Sequence, residues 1–323
     1  MGALAFCGAL ALALLSARLA LFLLCTLLSS CLRHGLSGRS VLVTGCDSGF
    51  GRLAALSLAR SHNATVFAGC LTRSGAEALE KDSGGRIVAF VMDVTAEADV
   101  QGALELVTQR LEGRPLHAVV NNAGGSEGWL AEANGMEVYG RMVELNLLGG
   151  VRVAKAFLPM LAAGRGRLVW VTSALTMVAN GGMSAYTAAK WGAEAFCDAL
   201  RREVRGMGVA VAQVAPGVSH TPFFGKAKAS MTECFAAADG RVRERYGGDA
   251  LLRAMEVWEA RTRPVACPPE RVAAAICVAV ASRFPKDKYL VGLDAWLFWK
   301  PVSMMPPAVA DWILNAVGVN IRV

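Results

Sequence analysis

Histidine is scarce in this sequence, and the cysteines do not follow a metal-binding pattern. Among 323 residues there are four histidines, at positions 34, 62, 117 and 220, and they do not cluster. No two of the nine cysteines have the spacing of metal ligands, so we expect no metal site. An odd number of scattered cysteines also argues against a disulfide framework and predicts reduced thiols.

Charge is almost missing from the amino terminus. Residues 1–32 are nearly all apolar, with Arg18 as the one charged side chain. A membrane-spanning helix needs about 20 apolar residues, whereas a cleaved signal peptide has a basic start and a shorter apolar core. An Arg-rich mitochondrial presequence is not visible either. The segment therefore predicts an uncleaved membrane anchor, in the endoplasmic reticulum, with the mitochondrial inner membrane as the alternative.

Elsewhere the charges are scattered and do not form a basic patch. Lys and Arg number 33 and Asp and Glu number 26, which gives a net charge of +7. An excess of basic residues can bind nucleic acid or an anionic membrane surface, or it can keep the protein soluble. Because no segment resembles a nucleic-acid module, we expect a solvated surface and no nucleic-acid partner.

Short apolar strands alternate with helical stretches through the body of the chain, without internal repeats. Strands are predicted at Ser40–Thr44, Thr65–Cys70, Ile87–Met92, Ala118–Asn121, Leu168–Thr172 and Ala210–Val214. The main helical stretches are Gly51–Ser61, Ala98–Leu111, Met136–Leu161 and Ala185–Gly206. This alternation predicts an α/β fold: a Rossmann-like, doubly wound parallel sheet with helices on both faces.

Behind the anchor, the pattern divides the chain into a catalytic domain and a tail. Residues 38–288 form the predicted catalytic domain, in which the charged stretch 219–265 is interpreted as a mobile substrate lid with helices. Residues 289–323 are rich in Trp, Leu, Val and Met, but charges and prolines leave no span long enough to cross a bilayer. Two interpretations of this tail stay open. It lies at a membrane interface, or it packs on the domain or at a contact in a homo-oligomer.

Ser173, Tyr186 and Lys190 have the spacing of an acid–base site. Tyr186 and Lys190 are four residues apart, which places both side chains on one face of a helix. An ammonium group beside a phenol favours the phenolate and is expected to lower the phenol's pKa from about 10 towards the range of a general base. Ser173 follows the apolar run 167–172 and can bring a hydroxyl to the same point from a strand end.

A glycine-rich turn stands upstream, between a predicted strand and a predicted helix. In Thr44-Gly-Cys-Asp-Ser-Gly-Phe-Gly51, the glycines permit a tight turn and let the backbone approach a pyrophosphate at a helix amino terminus. The turn and the Ser, Tyr and Lys set together indicate a nicotinamide-dependent oxidoreductase of alcohols and carbonyls.

These features resemble the short-chain dehydrogenase/reductase family from about Ser40 to the carboxyl terminus. Three motifs are similar to the branch of microsomal retinol dehydrogenases and 17-beta-hydroxysteroid dehydrogenases: Thr44-Gly-Cys-Asp-Ser-Gly-Phe-Gly-Arg52, Cys70-Leu-Thr-Arg-Ser-Gly-Ala-Glu77 and Gly292-Leu-Asp-Ala-Trp296. Mitochondrial 3-hydroxybutyrate dehydrogenase is similar as well and shares the first motif.

The resemblance implies roles for individual residues. The catalytic set would be Asn146, Ser173, Tyr186 and Lys190, with Asn146 holding a water that links the lysine to solvent. Asp93 would hold the adenine, although its place before the next helix also suits a helix cap. The implied cofactor contacts are Gly45, Asp47, Ser48, Gly49, Phe50, Gly51, Asp93, Val94, Asn122, Ala123, Gly124, Tyr186, Lys190, Pro216, Gly217 and Thr221.

The predicted activity is hydride transfer between a hydrophobic alcohol, a steroid or a retinol, and NAD. NAD is preferred over NADP because the similar enzymes mostly use it. The residues themselves are equivocal, because no carboxylate ends the second strand and Arg52 or Arg73 could face a 2′-phosphate. One alternative is a 3-hydroxybutyrate-type dehydrogenase, for which the lid shows no arginine to hold a carboxylate. The other is a catalytically inactive dinucleotide-binding scaffold.

Overall fold

The structure is a computed structural model that describes residues 35–219 and 221–317, together with positions 13, 16, 17, 20, 24 and 33. Within residues 249–265, eight side chains are outside the description. The predicted anchor over residues 1–32 lies almost entirely outside the described residues.

Seven parallel strands form the central sheet. They are β1 (Ser40–Thr44), β2 (Thr65–Cys70), β3 (Ile87–Val91), β4 (Leu116–Asn121), β5 (Arg167–Val171), β6 (Ala210–Pro216) and β7 (Lys288–Val291). Their order across the sheet is β3-β2-β1-β4-β5-β6-β7, which confirms the predicted doubly wound sheet. The order reverses between β1 and β4, so a crevice opens there at the carboxyl ends of the strands.

The strands could be predicted because helices cover both faces of the sheet. All five residues of β1 are buried, as expected for a parallel strand with a nearly continuous apolar sequence. The observed bounds of β1 and β2 are those predicted. The sheet also contains β7, which the sequence did not indicate and which crosses the position 288/289 at which we separated the domain from its tail.

Twelve helices accompany the strands in the described part of the chain. They are α1 (Gly49–Ser61), α2 (Arg73–Ser83), α3 (Glu97–Leu111), α4 (Met136–Val143), α5 (Gly149–Ala163), α6 (Ser184–Glu203), α7 (Pro222–Ala237), α8 (Gly240–Arg245), α9 (Asp249–Thr262), α10 (Pro269–Ala281), α11 (Lys300–Val302) and α12 (Pro307–Ala316). Two apolar clusters lie on opposite faces of the sheet. Leu58 of α1 and Ile276 of α10 belong to one cluster, and Phe157 of α5 and Leu200 of α6 belong to the other.

A π-helical segment, Glu144–Leu148, joins α4 and α5 into one helical stretch over residues 136–163. Within the described part of the chain, this stretch alone is long and apolar enough to cross a membrane by length and composition. Its residues Val153, Phe157 and Leu161 are buried in the core beneath the sheet. A core helix of this kind passes the same criterion, so the finding is weak evidence for a membrane span.

The carboxyl-terminal segment packs on the domain beside the loop that follows β5. Trp299, Val302 and Leu314 are buried in a cluster with Ala174 of that loop. The same segment also presents apolar side chains to the outside, because Trp312 is 71% exposed and Leu297 is 74% exposed. Packing on the domain is therefore observed, and a contact of the outer face with a membrane stays a prediction.

Candidate active site

The turn after β1 and the loop after β4 meet at the crevice. Gly45 has φ +70°, in the left-handed region that favours glycine. A Cβ at Gly51 would overlap the Asn122 Nδ2 and the carbonyl oxygen of Gly45. Close approach of the two loops therefore requires the glycines, and the amino terminus of α1 is left at the crevice, where it favours a bound phosphate.

Asn122 and Thr44 hold these two loops together. The Asn122 Nδ2 donates to the carbonyl oxygens of Thr44 at 2.9 Å and Gly45 at 3.0 Å. The Thr44 Oγ1 accepts from the backbone N–H groups of Asn122 and Ala123, both at 3.1 Å. This role of Thr44 could not be recognised from the sequence, in which only its place at the end of a strand was visible.

A carboxylate stands at the end of β2, where the sequence indicated none. Asp47 of the turn after β1 accepts from the backbone N–H of Leu71 at 2.7 Å and of Thr72 at 3.0 Å. It also accepts from the Thr72 hydroxyl at 2.7 Å. The turn folds across to β2, which brings to that strand end a charge that belongs to a different segment of the chain.

Asp93 closes the turn between β3 and α3. Its Oδ1 accepts from the backbone N–H of Thr95 at 2.9 Å and from the Thr95 hydroxyl at 2.8 Å. Asp93 and Val94 also line the large cavity of the crevice. Asp93 thus stabilises the turn and does not cap the helix, whose N-cap residue is Ala96, and contact with an adenine stays a prediction.

Ser173, Tyr186 and Lys190 lie together, as their spacing predicts. Ser173 follows β5, and the other two residues lie one turn apart on α6. The side chains of Ser173 and Tyr186 are close enough to interact through their hydroxyls, and the Ser173 Oγ accepts from the backbone N–H of Leu175 at 3.2 Å. The Lys190 Nζ donates to the carbonyl oxygen of Val171 at 3.1 Å and lies 5.9 Å from the centroid of the Tyr186 ring. All three side chains are buried.

The pKa of Tyr186 differs from the expectation that a nearby lysine lowers it. Burial raises the pKa of Tyr186 to about 12, and the nearby Ser173 side chain opposes that rise. Burial also lowers the pKa of Lys190 to about 8. Burial disfavours the charged form of both groups. Without a bound cofactor, the cost of burying a phenolate therefore determines the Tyr186 pKa more strongly than the nearby lysine does.

Asn146 lies in the π-helical segment, where a widened turn often marks a functional site. Its Nδ2 donates to the carbonyl oxygens of Gly125 at 2.9 Å and Met142 at 3.2 Å, and its Oδ1 accepts from the Gly125 N–H at 3.2 Å. A Cβ at Gly124 would lie 2.8 Å from the Asn146 Oδ1 and 3.2 Å from the Lys190 Nζ. The asparagine and the lysine thus meet at Gly124.

One cavity of about 1160 Å³ connects the glycine turn, the catalytic hydroxyls and the helices after β6. Most of the predicted cofactor contacts line it: Gly45, Asp47, Ser48, Gly49, Phe50, Asp93, Val94, Asn122, Ala123, Gly124, Tyr186, Pro216, Gly217 and Thr221. Gly51, Asn146 and Lys190 do not line it, and they support its wall from behind. The volume exceeds that of a usual ligand site, about 300–1,000 Å³, and suits a cofactor and a substrate together.

Asp294 supports a loop in the cavity wall, a role that could not be recognised from the sequence. Its Oδ2 accepts from the backbone N–H of Val218 at 2.8 Å and from the indole N–H of Trp299 at 3.2 Å. It thereby fixes the loop Gly217–Val218 in the cavity wall. The only sign of this residue in the sequence was the motif Gly292-Leu-Asp-Ala-Trp296. The motif indicated a similarity to the retinol and hydroxysteroid dehydrogenases but not where Asp294 lies in the fold.

The far part of the cavity is mainly apolar. The ring of Phe223, at the start of α7, lies edge-on to that of Tyr186 with centroids 6.0 Å apart. Further apolar side chains in this wall are Trp129, Leu145, Leu175, Met183, Phe224, Met231, Val257 and Trp299. Lys226 and Lys228 also line the cavity, so the region interpreted as a lid supplies cations even though it offers no arginine there.

These residues fit a dinucleotide. The glycine turn packs closely on the loop after β4, where a Cβ at Gly51 would overlap Asn122 and Gly45, and backbone N–H groups at the start of α1 suit a pyrophosphate. Asp47 stands where a ribose hydroxyl can donate to a carboxylate, and Ser173 and Tyr186 lie at the opposite side of the crevice in the same cavity.

Comparison with known proteins agrees with this geometry. Residues 39–232 match the family model described as short chain dehydrogenase. Retinol dehydrogenase 5 of Mus musculus is 37% identical over 285 residues, 85% of this chain and 87% of that protein. The 17-beta-hydroxysteroid dehydrogenase type 6 of Bos taurus is 34% identical over 284 residues, 87% of this chain and 89% of that protein.

A solved structure shows the same fold. The crystal structure of a short-chain dehydrogenase from Streptomyces avermitilis superposes with a TM-score of 0.66 at 24% identity, covering 87% of this chain and 96% of that one. The resemblance inferred from the motifs is therefore confirmed. The chain belongs to the short-chain dehydrogenase family of oxidoreductases, which act on CH–OH groups with a nicotinamide dinucleotide.

Proposed function

We propose that this enzyme oxidises a hydrophobic alcohol of the steroid or retinol class to the ketone or aldehyde, with NAD as the acceptor. The observation that carries the proposal is that Ser173 and Tyr186 lie together in the lining of one cavity with mainly apolar walls. Such walls favour a substrate with a large apolar surface. The names of the two curated relatives, a retinol and a hydroxysteroid dehydrogenase, support the same two classes.

The chain's own residues orient the substrate and move its proton. The alcohol oxygen is held by the hydroxyls of Ser173 and Tyr186, and the ionised Tyr186 takes the hydroxyl proton as general base. Lys190 supplies the cation on the same helix face, and Asn146 positions the wall at Gly124, against which the lysine lies. A bound nicotinamide supplies the hydride acceptor, and its positive charge favours the phenolate.

NAD is supported over NADP by charges at the end of β2. The Asp47 carboxylate lines the cavity beside the backbone of Leu71 and Thr72, and it would repel a 2′-phosphate. Arg52 is paired with Asp82 and does not line the cavity. We expect a higher kcat/KM with NAD than with NADP, and Asp47→Asn should reduce that preference. A preference for NADP in the unaltered enzyme would contradict this assignment.

The proposal includes attachment to the membrane of the endoplasmic reticulum through residues 1–32. A steroid or retinol partitions into lipid, so an enzyme held at the bilayer meets its substrate at high local concentration. The apolar length of the segment supports an anchor.

The 3-hydroxy acid alternative is favoured by one observation, the lysines in the cavity wall. Lys228 is, however, paired with Glu259 at 2.7 Å, so a substrate carboxylate would have to compete with a carboxylate of the protein. The inactive-scaffold alternative does not explain why Asn146, Ser173, Tyr186 and Lys190 are all present and gathered at the same end of the crevice.

The test measures NADH absorbance with the full-length protein in detergent micelles, NAD, and a panel of retinol, steroid alcohols and 3-hydroxybutyrate. We expect turnover of a retinol or a steroid. Turnover of hydroxybutyrate alone would establish the hydroxy-acid alternative. NADH binding without turnover of any compound would favour the scaffold.

A further inference from the structure

An ion pair lies in the wall of the substrate part of the cavity. The Lys228 Nζ of α7 donates to the Glu259 Oε2 of α9 at 2.7 Å. Both residues line the cavity. Among the ion pairs of the described residues, no other has both partners in this wall. Charged groups are costly to place in a largely apolar surface, so this pair is a candidate for contact with a polar group of the substrate.

The helix that carries Lys228 lines the cavity with several residues, Phe223 and Lys226 among them. Phe224, Ala227, Lys228 and Met231 all line the cavity, and their spacing is that of one helix face. Phe223, which contacts the Tyr186 ring, precedes Lys228 by five residues, or about 7.5 Å along the helix axis. Lys228 therefore lies further along α7 than the residue that contacts Tyr186.

An apolar cluster lies further along α7 than Lys228, because Met231 and Phe235 of that helix belong to it. Trp129, Met231 and Tyr246 line the cavity and also belong to an apolar cluster with Phe235. Lys228 and Glu259 keep 36% and 20% of their side-chain surface exposed, so both charged groups remain accessible from the cavity. A ligand that reaches this part meets a charged pair in a mainly apolar surface, with Lys226 as a further cation in the cavity wall.

The chemistry of the pair selects among substrate ends. An ammonium has three donors, and the Lys228 Nζ uses one of them for Glu259. A substrate hydroxyl can accept from the lysine and donate to the glutamate, and a ketone can accept from the lysine. A carboxylate would place a second negative charge beside Glu259, and a hydrocarbon end would cover the pair without replacing its water.

We infer that Lys228 and Glu259 form a subsite for a neutral oxygen at the end of the substrate remote from the reacting hydroxyl. The preferred substrate class is then a rigid, steroid-like alcohol that carries a second hydroxyl or a ketone, rather than a retinol. This inference rests on the proposed function and narrows its substrate.

A purely structural role would be a clamp between α7 and α9. A clamp contributes equally to the turnover of every substrate, whereas a subsite discriminates between substrates that differ only at the remote end. The ratio of kcat/KM values for such a matched pair therefore separates the two roles, even in a variant with reduced activity.

The experiment uses the full-length protein with two matched pairs of steroids. One pair is androsterone and its analogue with CH₂ in place of the ketone. The other is testosterone and its analogue lacking the ketone, so that either end of the ring system can present the reacting hydroxyl. The variant is Lys228→Met with Glu259→Gln, because removal of both charges leaves neither member of the pair alone in the cavity wall, and Arg263, which also lies 3.6 Å from Glu259, is 72% exposed to water. The control is Glu256→Gln, an exposed acid one turn away on α9 that does not line the cavity.

The unaltered enzyme should oxidise at least one of the two steroid pairs. Within that pair, we expect kcat/KM to be about tenfold or more higher for the steroid that carries the remote oxygen. The double variant should lose this preference while keeping activity on the deoxygenated member, and Glu256→Gln should keep the preference. Equal losses on both members, or a preference that survives in the double variant, would overturn the subsite. Turnover of retinol with no turnover of either steroid pair would also overturn the subsite, but it would leave the proposed function standing. Absence of turnover with every compound would instead defeat the proposed function itself.

Discussion

Replacement of Tyr186 by phenylalanine removes the phenol oxygen and leaves the ring that lies against Phe223. Loss of a general base typically costs about 100- to 10,000-fold in rate, so Tyr186→Phe should lose turnover to that extent. The dissociation constant for NADH should change little, because the ring and the crevice are kept. Steady-state kinetics and NADH fluorescence titration measure the two quantities.

The matched control is Tyr139→Phe. The Tyr139 hydroxyl is hydrogen-bonded to the Ser184 hydroxyl at 2.8 Å, at the start of the same helix, and Tyr139 does not line the cavity. Its loss should cost about 1 kcal/mol of stability and leave turnover close to normal. Near-normal turnover of Tyr186→Phe would refute the proposed base.

The pH profile of oxidation should report both members of the Tyr186 and Lys190 pair. Turnover needs an ionised tyrosine beside a protonated lysine, and burial sets their pKa values at about 12 and about 8. The population of this form rises about tenfold per pH unit below the lower of the two values, then stays constant up to the higher one. We therefore expect kcat/KM to rise with pH and to level off near pH 8.

Lys190→Met tests the assignment of the plateau. Without a lysine to lose its proton, kcat/KM should be lower but should keep rising above pH 8 as more tyrosine ionises. The same plateau in this variant would show that another group causes it.

At the scale of elements, the turn between β1 and α1 determines whether the cofactor binds. Gly51→Ala places a methyl group onto the Asn122 Nδ2 and the carbonyl oxygen of Gly45, so the turn and the loop after β4 must separate. We expect the dissociation constant for NADH to rise by at least about tenfold, since several aligned N–H groups lose their position together.

Gly102→Ala controls for the substitution itself. Gly102 is exposed within α3, and a Cβ there meets nothing within 4 Å. This change should leave NADH binding unaltered and raise stability by about 0.5–1 kcal/mol, because alanine is favoured over glycine inside a helix. Equal NADH affinity in the two alanine variants would contradict the role of the turn.

The same elements show what the sequence could reveal. β1 and β2 have their predicted bounds because a strand buried on both faces carries its signal in its own residues. Tyr186 and Lys190 were identifiable because one helical turn separates them. β7 was not foreseen, since it completes the sheet beside β6 through contacts that are distant in sequence. The approach of Asp47 to β2 and the pairing of Lys228 with Glu259 were missed for that reason.

At the scale of the whole molecule, the carboxyl-terminal segment belongs to the catalytic unit. It continues from β7 and packs Trp299 and Leu314 beside the loop after β5, and its residues Asn315, Ala316 and Val317 line the cavity. The segment after residue 288 therefore shares the sheet and the cavity with the rest of the domain, and a boundary at that residue divides one structural unit. The outward side chains of this segment, such as Trp312, could add surface contact with lipid to an anchor but do not form a span.

The arrangement of an apolar amino terminus before a single catalytic unit leads to a test with the intact protein. If residues 1–32 span the bilayer, washing membranes with alkaline carbonate should leave the protein in the pellet, because carbonate strips surface-bound proteins and leaves spanning helices in place. Deletion of residues 1–32 should allow carbonate to release the chain, even if Trp312 and its neighbours hold part of it on membranes before the wash. Trp312→Lys, which alters an exposed side chain of α12 and keeps the anchor, should stay in the pellet with the unaltered protein. Release of the full-length protein by carbonate would show that its amino terminus lies only on the surface.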